Sequence, residues 1–244
     1  MLEAFFWGAL ASSSLLLGGM IALRRPINRL ILGLVMAFGA GVLISAVAFE
    51  LVEEAFETSG LLSDVAIGLF AGCAVFTIGD ALIDRLGGAD RKRVDGAGAA
   101  GGSGLAIVLG IVLDGIPESA VLGLTLLEGS GVSVAMLAAV FLSNLPEAVA
   151  ATSGLVSTGW RRSRVMGLWA LVVCVSGLAS LAGYALFDGA SPSVVAFVLA
   201  FAGGAILTML ADTMMPEAYA KGGKWVGVVT TLGFATAFAI SAFE

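Results

Sequence analysis

The chain has 244 residues, 59% of them hydrophobic and 12% charged, with a formal net charge of −6 and no histidine. An apolar share this high stands above that of a soluble domain, so a water-soluble fold is not expected. Acids and bases fall in separate places along the chain, so the net charge does not point to nucleic acid or to a basic partner.

A helix needs ~20 mainly apolar residues to cross a hydrocarbon core of ~30 Å. Eight such stretches follow one another: 4–23, 29–52, 63–84, 104–127, 131–157, 164–187, 192–215 and 223–243. The sequence therefore predicts an all-α integral membrane protein with eight transmembrane helices, forming a single transmembrane domain over residues 1–244. The first stretch has no basic segment before it and no clear small-residue cleavage site, so it reads as a span and not as a removable signal. Cys73 and Cys174, inside the third and sixth spans, read as small core residues.

All twelve Lys and Arg residues fall in four connections: Arg24, Arg25 and Arg29; Arg85, Arg91, Lys92 and Arg93; Arg161, Arg162 and Arg164; Lys221 and Lys224. These follow the first, third, fifth and seventh spans, which places every base on one face. The positive-inside rule makes that face cytoplasmic and both termini extracellular, as expected of a multi-pass protein of the cell membrane. Residues 87–103, rich in Gly and Ala around a basic cluster, read as a flexible cytoplasmic loop between the third and fourth spans. Many of the 34 glycines lie inside spans, where they allow close backbone approach between helices.

On the opposite face Glu3, Glu50, Glu53, Glu54, Glu57, Asp64, Glu128, Asp188 and Glu244 form an acidic mouth. Such a mouth gathers cations over distances of about a Debye length, ~8 Å at physiological salt. Helical spacing puts Glu50, Glu54 and Glu57 on one face at the outer end of the second span, where they read either as an entrance or as a solvated helix end.

A short repeat marks the fourth and fifth spans: LDGIPESA at 113–120 and LSNLPEAV at 142–149. Asp114 lies ten residues into its span, which at ~1.5 Å per residue is about 15 Å deep, near mid-membrane. Glu118 is one turn further along the same face, while Ser143, Asn144 and Glu147 share a stripe on the fifth span. A carboxylate at the centre of a span costs at least ~2.5 kcal/mol, so several together need compensation, and a bound cation supplies it. Pro117 and Pro146 each free the carbonyl four residues earlier, on Leu113 and Leu142, and so are expected to turn backbone oxygen towards a cavity. Deeper acids towards the cytoplasmic side, Asp80 and Asp212, extend the pathway, whereas Asp84 and Glu217 read as interfacial charges.

Over nearly its whole length the chain resembles the ZIP (Zrt/Irt-like) family of divalent metal transporters. The Pro–Glu motifs carry the resemblance, together with FGAGVLISA at 38–46 and AGGAILTMLADTMMPEA at 202–218, which look like that family's second and seventh helices. The resemblance implies a ZIP-like bundle, a metal site lined by the Pro–Glu helices, and a homodimer. By position, Asp114 stands where the family has a His and Gly115 where it has an Asn, while Glu118 and Glu147 match the two motif glutamates. Ser143 and Asn144 take the variable polar positions, and Ser180 stands where family members often carry a glutamate. The lack of His removes the imidazole that suits zinc, so the likeness implies one carboxylate-rich site and a preference moving from zinc towards manganese, iron or another hard ion.

The function expected is thus transport of a divalent metal ion towards the cytoplasm, with lipid and the transported ion as partners and no nucleic acid. Two other classes stay open: a proton or monovalent-cation conductor using Asp114 and Glu118, and a non-transporting membrane scaffold. No nucleophile and base pair, phosphate loop or cofactor motif appears, so an enzyme is not expected.

Overall fold

The computed structural model describes residues 1–25, 27–85, 104–128 and 131–243, and the linker expected at 87–103 lies outside them. Among the described residues the fold is helical throughout, without a strand. In chain order the helices are α1 Leu2–Arg24, α2 Arg29–Ala46, α3 Glu54–Ser59, α4 Leu62–Ile83, α5 Gly104–Thr125, α6 Val134–Ser157, α7 Arg162–Phe187, α8 Pro192–Met209, α9 Met215–Gly222 and α10 Val226–Ser241.

Their ends follow from local chemistry. The Asn28 side chain accepts from the Leu30 N–H at 2.9 Å and starts α2, and Ser133 does the same for the Met136 N–H at 3.0 Å at the head of α6. Gly60, at φ 65°, closes α3 in a left-handed conformation that glycine adopts without strain.

Seven helical runs among the described residues are long and apolar enough to cross a membrane, which is compatible with a multi-pass membrane protein. Leu62, Phe70, Leu171, Leu186 and Val228 stand exposed on the outside of the bundle, as side chains facing lipid would. The last run, Pro192–Ser241, covers 50 residues and joins the two stretches expected at 192–215 and 223–243. It contains Gly223 at φ 60° and ψ −143°, outside any helical conformation. Cys174, expected in the core, is exposed, because its side of α7 faces outward with Leu171 and Leu178; Cys73 is half-buried.

Two runs contain wide turns that hydropathy does not signal. A π-helix, Val47–Glu53, joins α2 to α3, and a second, Leu210–Met214, joins α8 to α9. Each replaces the i→i+4 spacing by i→i+5 and so changes the phase of the side chains beyond it.

Glycines set the packing. α2 crosses α10 where Gly41 lies against the Thr230 carbonyl and Gly233 against that of Phe38. The same reciprocal pattern joins α4 to α8, through Gly72 on Phe201 and Gly204 on Leu69, and α5 to α7, through Gly123 on Ser180 and Gly183 on Ala120. In each pair one glycine from each helix rests on the partner's backbone, leaving no room for a Cβ. With little hydrophobic force between helices in lipid, such close van der Waals contact is what holds a bundle together. α1 fills the remaining side, packed along α7 and α6. There the buried Trp169 indole donates to Thr152 Oγ1 at 2.9 Å and its ring lies against Gly19.

Candidate functional site

α5 and α6 carry the two Pro–Glu motifs, and both stay helical through Pro117 and Pro146. The expected break in these helices is therefore absent. The Leu142 carbonyl freed by Pro146 does not open to a cavity, because a Cβ on Gly39 of α2 would sit 3.3 Å from it. That oxygen is covered by a neighbouring helix instead.

Glu118 is buried, at 1% exposure, and its Oε1 has no hydrogen-bond partner among the described residues. Asp114, one turn before it, is half-buried, and the two interact electrostatically. Beside Asp114, the space around Gly115 is open, with no atom within 4 Å of where a Cβ would stand. Glu147 of α6, half-buried, lies within electrostatic reach of Glu118 and Asp114. Like charges in a low-dielectric bundle repel strongly, and a cation between them offsets that repulsion. The three carboxylates are not drawn into a tight cage: among the described residues no group of three or more Asp, Glu or Cys side chains is placed to hold a metal ion.

The neutral oxygens differ in readiness. Asn144 is buried at 4% exposure. Ser143 is fully buried and its Oγ donates to the Val140 carbonyl at 3.1 Å, back-bonding within its own helix. Its backbone rests against Gly39, so of the two it is the one more committed to packing. Ser180 belongs to the helix crossing: a Cβ on Gly8 would run into its Cβ, and Gly123 rests on its carbonyl. Its Oγ has no hydrogen-bond partner among the described residues.

The pathway residues separate. Glu50, within the first π-helix, is half-buried and accepts from Ser133 Oγ at 2.6 Å and from Ser241 Oγ at 2.7 Å. One carboxylate thereby ties the head of α6 and the tail of α10 to the second run. Glu54 is half-buried and accepts from Thr58 Oγ1 at 3.4 Å, whereas Glu57 is exposed, so the three do not share one environment. Asp80 is buried on α4, at 7% exposure. Asp212 is exposed and lies within the second π-helix.

Glu217 reads from the sequence as an interfacial charge. Glu217 of α9 lies within electrostatic reach of Glu147 and forms an ion pair with Lys221, whose side chain is only 13% exposed. Pro216 and Glu217 make a third Pro–Glu step after those at 117–118 and 146–147. Glu118, Asp114 and Glu217 all lie within electrostatic reach of Glu147, and Glu217 is paired with Lys221.

No protein-family model matches the chain, and no curated protein matches it either.

Proposed function

We propose that the protein is a carrier for a divalent metal cation, of the ZIP kind, that moves the ion towards the cytoplasm. The observation that carries this reading is a Glu118 oxygen that is buried and without a hydrogen-bond partner among the described residues, with Asp114 and Glu147 of the two Pro-bearing helices within electrostatic reach of it. A buried carboxylate oxygen left unmatched is costly, and a positive ion delivered to it removes the cost.

In this reading the chain makes eight crossings. The run Pro192–Ser241 would extend about 75 Å as one helix, far beyond a ~30 Å core, and Gly223 supplies the turn between two crossings. The basic connections then all lie on the cytoplasmic side and both termini outside. Carboxylate and amide oxygens suit a hard or borderline ion such as manganese, iron or zinc as the transported substrate. Because the acids are near one another without forming a cage, the ion is completed by helix rocking that draws α5 and α6 together, which alternates access to a midplane site.

Uptake of divalent metal into liposomes by the purified protein, compared with Glu147→Gln, tests this. Uptake by the wild type with little by the variant is expected; equal uptake by both refutes the assigned role. The absence of a three-carboxylate cage among the described residues favours a second reading, conduction of protons or a monovalent cation along Asp114 and Glu118. It predicts current without divalent metal.

A further inference from the structure

At the base-rich face the ends of α1, α6 and α7 border an open cavity of about 340 Å³, lined by the exposed Arg24, Arg25 and Arg162 and by Thr152 and Ser153 among others. This volume falls at the lower end of the roughly 300–1,000 Å³ typical of small-molecule sites. Among the described residues no Asp or Glu pairs with any of the three arginines. Arg162 opens α7, a helix of 26 residues that begins with no side-chain cap and no acid in its first turn. The positive end of that helix dipole therefore meets more positive charge, from Arg161, Arg162 and Arg164, where an acid or a bound anion is the stabilising partner. Nearby, Arg164 lies 4.3 Å from the Trp160 ring centroid, and aromatic rings of this kind settle at the level of lipid headgroups.

We propose that this cavity binds a phosphate-bearing anion, with the guanidinium groups of Arg24 and Arg162 as its principal contacts. Planar guanidinium forks hold phosphate oxygens through paired, charge-assisted hydrogen bonds. The phosphate belongs either to the headgroup of an anionic lipid or to free inorganic phosphate. Ala22, Leu23 and Val156, which also line the cavity, give the apolar wall that a lipid's glycerol and acyl chains need. This assignment is independent of metal transport and survives its failure.

The test uses the full chain in mixed vesicles of phosphatidylglycerol and phosphatidylcholine, extracted in mild detergent, with retained lipid counted by native mass spectrometry. The wild type is expected to keep phosphatidylglycerol over phosphatidylcholine, and R24Q/R162Q to lose roughly tenfold or more of that preference, as two arginines near the surface imply. The control R85Q/K224Q, with the same change in charge at other exposed positions, is expected to keep it. R24K/R162K, which preserves the charges that orient the chain, is expected to show a partial loss because the paired contacts go. Addition of inorganic phosphate separates the sources: retained lipid assigns the headgroup, and displaced lipid assigns free phosphate. No lipid preference together with no phosphate adduct overturns the proposal, as does an equal loss in R24Q/R162Q and R85Q/K224Q.

Discussion

Glu50 and Glu118 are both acids held among apolar helices, yet they are treated in opposite ways. The carboxylate of Glu50 is matched on both oxygens, by hydroxyls from Ser133 and Ser241. That of Glu118 is more deeply buried and leaves Oε1 unmatched, with Asp114 and Glu147 adding like charge around it. The first arrangement is complete without a ligand and serves to join helix ends. The second leaves a buried acceptor unmatched, and on the proposed function that is where a cation is taken up.

The largest effect expected from breaking this contrast is at Glu118. Glu118→Gln is expected to lower metal uptake by at least roughly tenfold, the scale on which lost metal-site partners act, while leaving the thermal stability of the metal-free protein unchanged or raised. Uptake and melting measured on one preparation check both halves. A variant that melts much lower would make Glu118 structural, like Glu50.

The helix crossings come next. Gly123→Val places a branched side chain against the Ser180 carbonyl and is expected to destabilise the bundle by about 1–3 kcal/mol or more, read from melting in detergent. Gly115→Ala, on the same helix but beside open space, is expected to change stability little. Comparable losses at both positions would mean that the α5–α7 contact is looser than the crossing requires.

At Glu50 the effect should be smaller and confined to stability. Ser241→Ala removes one hydroxyl from a charged acceptor and is expected to cost about 1.5–3 kcal/mol at most, without altering which ion is taken up. A change in ion selectivity would move Glu50 from the tie to the pathway. Smallest is Lys221→Met, expected to raise apparent metal affinity by a few-fold, since the paired ammonium competes with the ion for the acids around Glu217. Metal titration of the variant checks it, and unchanged affinity would detach Glu217 from the site.

Most of the fold could be read from the sequence because hydropathy records which residues meet lipid. The helices follow the apolar stretches, and the caps at Asn28 and Ser133 sit at their heads. The π-helices around Glu50 and Asp212 could not be read, since an extra residue in a turn leaves composition and hydropathy unchanged. Repeated motifs at matching depth are a local signal, and from them the sequence expects Asp114, Glu118 and Glu147 to share one region. What lies beside the Leu142 carbonyl and Ser180 depends on Gly39, Gly8 and Gly123 of other helices. Those partners are tertiary facts that no single stretch of sequence contains.

The most direct test of the central claim is the metal content of purified protein equilibrated with a divalent cation and freed of excess, determined by mass spectrometry for the wild type and for the double variant Glu118→Gln, Glu147→Gln. The account predicts about one bound ion in the wild type and none in the variant. Equal metal in both, or none in either across manganese, iron and zinc, would contradict it.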